Sequence, residues 1–181
     1  MWILLATWIV GDDGLELGEG DRWSTVLEVS LHGAEVVSPH SSQRFELIGD
    51  PLSVAGPRYD IVARVRSDED SGSFLDAGEV NLTASVQWPP GTVLSLKSEL
   101  QGGWYPTIPP PDHLIFDGEI QRLFIRQRTA VSDGAPNSYR PDPDTALFRQ
   151  IERIQMWETA RDLDTPFNPV KIISDYLLEL V

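Results

Sequence analysis

The 181-residue chain contains no cysteine. That excludes disulfides, thiolate zinc sites, iron–sulfur clusters and a cysteine nucleophile, and it accords with a cytoplasmic protein. Lysine is nearly missing as well. Lys97 and Lys171 stand beside 12 arginines, and these 14 basic residues face 28 acidic ones, for a formal net charge of -14. So little positive charge argues against general DNA or RNA binding, which needs a basic footprint. It favours solubility and suits a basic protein partner. The arginine bias, with 14 glycines and 14 prolines, points to a bacterial chain from a GC-rich genome, with a salt-adapted organism as the competing source.

Long hydrophobic runs are lacking too. Met1-Trp2-Ile3-Leu4-Leu5-Ala6-Thr7-Trp8-Ile9-Val10 is apolar, but a membrane span needs roughly 20 residues. A signal peptide needs a basic n-region and a small-residue cleavage site, and neither is present. The run is expected to be a buried first strand, and no membrane association is expected. There is no nucleophile elbow, phosphate loop or dinucleotide fingerprint, and no repeat of fixed period. His32, His40 and His113 show no metal-ligand spacing. No cofactor, bound metal or catalytic residue is expected.

What the chain does carry is strand pattern. Trp23–Leu31, Tyr59–Arg66 and Glu79–Trp88 alternate apolar and polar residues, as half-buried strands do. Ala34–Val37, Arg44–Gly49, Thr92–Leu96 and Glu119–Thr129 read as further strands. The Tyr59 and Glu79 runs are expected to pair antiparallel across the acidic loop Ser67–Ser73. Val131–Asp144, with Gly134, Pro136, Pro141 and Pro143, reads as a linker. Beyond it, Asp144 is placed to cap a helix over Thr145–Arg161, with Leu147, Ile151 and Ile154 at i, i+4 and i+7 and Phe148 widening the stripe. Asn168-Pro169 suits the start of a second helix, with Ile172, Ile173, Tyr176, Leu177 and Leu180 on its apolar face. The predicted architecture is mainly β, a small antiparallel barrel or sandwich over residues 1–130. A linker over 131–144 and two C-terminal α-helices over 145–181 follow it, α+β overall. The helices would pack on the β domain or on a partner subunit.

Trp2, Trp8, Leu15, Leu17, Gly18, Asp21 and Trp23 make a tryptophan-bearing strand, a turn and a step into a second tryptophan strand. In this the first thirty residues resemble a family of small, uncharacterised actinobacterial proteins. The resemblance implies a β-rich fold and carries no activity.

Two groups of residues stand nearest to chemistry. Arg64 and Arg66 share parity on one predicted strand, and Arg122, Arg126 and Arg128 share parity on another. If the strands adjoin, these guanidinium forks would hold a phosphate or carboxylate, with Phe124 as a stacking surface. Cross-strand pairing with acids is the plainer reading. The second group is the loop of Trp104, Tyr105 and Pro109-Pro110-Pro111. Tryptophan and tyrosine are frequent interface anchors, and proline limits the entropy cost of a fixed loop. The alternative is a flap closing one end of the β domain. Asp68-Glu69-Asp70 lacks the ligand spacing of a calcium loop and reads as a solvated tip. The favoured function is a non-catalytic protein-interaction module, with a protein partner or a second copy of the chain. Two alternatives stand beside it: an immunity- or antitoxin-like acidic binder of a basic enzyme, and an enzyme or sensor holding a phosphorylated or carboxylated small molecule at the arginine face.

Overall fold

A computed structural model describes residues 1–6, 16–70, 72–103, 110–132, 134, 139–142, 144–154 and 172–181. The strands are β1 (Trp2–Ala6), β2 (Leu17–Gly18), β3 (Arg22–Val29), β4 (Glu35–Val36), β5 (Arg44–Ile48), β6 (Arg58–Asp68), β7 (Gly72–Asp76), β8 (Asn81–Leu82), β9 (Val93–Ser98) and β10 (Leu100–Gly103). After a 3₁₀ turn at Asp112–Leu114 come β11 (Ile115–Ser132), β12 (Tyr139–Pro141), β13 (Leu147–Ile151), β14 (Arg153–Ile154) and β15 (Ile172–Leu180). The strands do not form one closed barrel. They divide between a seven-stranded sheet, which runs β12-β11-β15-β1-β10-β3 with β13 on β11, and a six-stranded sheet, β4-β9-β6-β7-β8 with β5 on β6. β2 and β14 make a separate two-stranded ribbon.

A shared core joins the two sheets. Ile3, Leu5, Trp23 and Leu27 from the first meet Tyr59, Ile61, Ala63, Val65, Leu75, Leu94 and Leu96 from the second. Alternation explains this directly. The odd residues of β6 from Tyr59 to Val65 are buried, while Arg58, Arg64 and Arg66 stand at least partly in solvent. Tyr59 also reaches across the join. Its hydroxyl accepts the Trp2 N–H at 2.7 Å and donates to the Trp2 carbonyl at 3.1 Å. Phe45 stacks on its ring at 4.7 Å. Burial pushes the Tyr59 pKa up to about 12.

The described parts of the two C-terminal segments are strands and not helices, and no α-helix occurs among the described residues. Residues 147–151 are a strand on β11, and Ile172–Leu180 is a strand between β1 and β11. The reason is a degenerate spacing. Leu147 and Ile151 share a strand face as readily as a helix face, because four is an even step. A bend at Glu152 then resets the parity and returns Ile154 to the core. β15 is buried on both faces. Tyr176, Leu178 and Leu180 enter the main core, while Leu177 packs behind it with Trp2, Leu4 and Phe124. A strand buried twice over has a nearly continuous apolar run, which periodicity cannot tell from a helix. Asp144 caps no helix, since its N–H donates to the Asp142 carboxylate at 3.0 Å in a turn. Asn168-Pro169 lies outside the described residues.

The middle of the chain differs in pairing. β6 turns back directly onto β7, inside the span read as a loop, with Arg64 opposite Asp76 and Asp68 opposite Gly72. It does not pair with the run from Glu79 to Trp88. That run gives only the short β8 and a bridge from Thr83 to Glu28. Its alternation is real: Leu82 is buried, and Val80, Ala84, Val86 and Trp88 pack against the core. Side chains alternate there without a ladder of strand bonds beyond Thr83. No helix among the described residues is long and apolar enough to cross a membrane.

Candidate functional site

The structure does not bring the two arginine groups together. Arg64 and Arg66 lie on β6 of the six-stranded sheet, and Arg122, Arg126 and Arg128 on β11 of the seven-stranded one. Each has acceptors inside the protein. Arg64 donates to the Gly91 and Pro39 carbonyls at 3.2 and 3.0 Å, and Arg66 to Asp76 at 3.1 Å. Arg122 bonds Glu179 at 2.5 Å, directly across the β11–β15 ladder, and lies 5.0 Å over the Trp2 ring.

Arg126 is the centre of the β11 group. Its side chain is 1% exposed. It holds the Asp175 carboxylate with two prongs, at 2.7 and 3.0 Å, and donates to Glu99 at 3.1 Å. Arg128 donates to the same Asp175 at 3.2 Å. Burial pulls the Arg126 pKa down, but Asp175 and Glu99 more than offset it, and the net shift is upward. The turn at residues 50–57 closes the cluster. Gly56, at φ +72°, sits so near that a Cβ there would lie 2.6 Å from the Arg126 guanidinium and 3.0 Å from Glu99. This is a filled ionic brace between three parts of the chain. Phe124 does not offer a stacking surface, being buried with Trp2, Leu4 and Leu177.

Trp104 and Tyr105 lie outside the described residues. In the acidic tip, Asp68 caps a tight turn by accepting the Asp70 N–H at 3.0 Å, and its carboxylate meets His113 Nε2 at 3.0 Å. The His113 ring lies 5.1 Å from that of Phe74, and Asn81 donates to the His113 carbonyl at 2.8 Å. Beside it is a cleft of about 130 Å³ bounded by residues 78–81 and 113–116. A larger groove of about 340 Å³ runs along Glu28, Val29 and residues 83–85. Neither groove is lined by an arginine. Among the described residues, no three His, Asp or Glu side chains gather as metal ligands would. The Asp68–His113 pair was not legible in the sequence, because it depends on the unforeseen β6–β7 turn.

One more feature is a strand edge that no described strand pairs. Among the described strands β5 bonds only β6, with Arg44 opposite Val62, Glu46 opposite Asp60 and Ile48 opposite Arg58. Leu47 on this strand is 40% exposed, and Val54 nearby in sequence is 43% exposed. Comparison with known proteins supplies no analogue: no family model, curated protein or solved structure matches the chain.

Proposed function

We propose that this protein is a non-catalytic protein-interaction module acting in the cytoplasm. The open edge of β5 carries the reading. An exposed strand edge with apolar side chains is a template for another chain unless proline, charged side chains or a covering element blunt it. Of the two charges on β5, Arg44 is already paired with Asp60, which leaves Glu46 to select a partner of opposite sign. Residues 44–48 contain no proline and no lysine, and no described strand pairs with their free side. The arginine-face alternative has less support, since each of those guanidinium groups already has acceptors within the protein.

A net charge of -14 favours a basic partner and keeps the immunity- or antitoxin-like role as a second reading. Affinity capture with quantitative mass spectrometry tests the proposal. A partner retained in stoichiometric amount at moderate salt is the expected result. If that partner is a basic enzyme whose activity falls on binding, the second reading gains. If no protein is enriched over an acidic control of equal charge, the proposal fails.

A further inference from the structure

The direction of each backbone group on β5 follows from its neighbours. Val65 bonds the residues leading into β9, its N–H to the Thr92 carbonyl at 2.8 Å and its carbonyl to the Gly91 N–H at 2.9 Å. Backbone groups alternate sides along a strand, so the odd residues of β6 face β9 and the even ones face β5 and β7. The β5 residues opposite those even positions are Arg44, Glu46 and Ile48. The N–H and C=O of Phe45 and Leu47 therefore point away from the sheet. Neither group bonds any other described residue.

The side chains along this edge specify what fits. Phe45 and Leu47 stand on the core face, opposite Ile61 and Tyr59. Arg44 and Glu46 stand on the outer face. Arg44 is taken by Asp60 at 2.8 Å, whereas Glu46 is exposed and makes no ion pair with any described residue. We infer that the β5 edge takes an added strand from a partner protein, an extended segment that alternates apolar residues with basic ones. Its apolar side chains would lie beside Phe45 and Leu47. A lysine or arginine would stand across from Glu46, the arrangement that stabilises cross-strand pairs. A second copy of this chain fits less well. Pairing β5 with itself about its centre sets Glu46 against Glu46, and brings together two bodies each of charge -14.

This inference rests on the interaction-module reading and adds the site and the partner chemistry. The probes are three seven-residue peptides: valine alternating with lysine, valine alternating with glutamate, and lysine alone. They are titrated onto the full chain and followed by fluorescence anisotropy and backbone amide shifts. The valine–lysine peptide is expected to bind saturably and to shift the Phe45 and Leu47 amides most, with the glutamate peptide silent. Leu47→Pro removes an outward N–H and leaves the β6 ladder intact, and it should weaken binding about tenfold. Glu46→Lys, which is not expected to disturb folding, should reverse the charge preference. Equal binding of the lysine-only peptide, or binding unchanged in both variants, overturns the inference. So does a wild-type dimer in light scattering that Leu47→Pro dissolves, since the edge would then hold a second copy. If a captured protein partner is retained equally by wild type and Leu47→Pro, the edge is not its site, and the interaction-module reading survives.

Discussion

Arg126 and Asp175 form a two-pronged ion pair, 2.7 and 3.0 Å long, that fixes β11 to β15 behind the main core. Glu99 and Gly56 close over the same guanidinium. A charge this deeply enclosed is tolerable only because its partners are in place.

Removing one partner should therefore be costly. Asp175→Asn is expected to lower stability by about 3 kcal/mol, because it strands most of a buried positive charge. Arg66→Gln, at a half-exposed pair with Asp76, should cost under about 1 kcal/mol. Urea unfolding of both variants checks the contrast. Equal costs would mean that the arginines of the two strands are alike in role.

Gly56→Ala should destabilise by about 2 kcal/mol, combining strain at positive φ with displacement of the Arg126 guanidinium. Gly49, at φ +80°, has nothing within 4 Å of its would-be Cβ. Gly49→Ala should thus cost only the backbone strain, about 1 kcal/mol. Thermal or urea unfolding of the pair isolates the contact with the brace.

Tyr59 should make the protein sensitive to alkali. Its folded-state pKa of about 12 lies above the ordinary value of 10.0, so the unfolded chain loses the phenolic proton first. Its contribution is complete below pH 10 and declines as the pH rises toward 12, by up to about 3 kcal/mol. Tyr59→Phe should flatten that slope. It should also cost about 1–3 kcal/mol at neutral pH, because the Trp2 N–H loses its acceptor. Stability measured by urea unfolding from pH 8 to 11.5 separates the two effects.

The core strands could be read from the sequence where one face is buried and the other wet. β3 and β6 announce themselves by alternation, whereas the middle of β11 is buried on both faces from Leu123 to Gln127. Nor does β15 alternate, because Leu177 and Leu178 are buried on opposite faces. The arginine parity was legible and correct on each strand, but parity says nothing of which strands neighbour each other. The acids that occupy Arg126 were hidden for related reasons. Asp175 lay in a segment that read as helix, and Glu99 becomes a neighbour only once β10 runs beside β1. The β5 edge shows no signal of its own in the sequence. An edge is a property of the sheet, and Arg44–Ile48 reads the same whether or not a further strand follows it.

Amide hydrogen exchange at β5 tests the central claim most directly. In the free protein, the Arg44, Glu46 and Ile48 amides should be protected, while Phe45 and Leu47 exchange rapidly. Adding the valine–lysine peptide should slow Phe45 and Leu47 and leave the other three unchanged. Protection of Phe45 and Leu47 in the free protein, or no gain in their protection with bound peptide, would contradict an open edge that receives a partner strand.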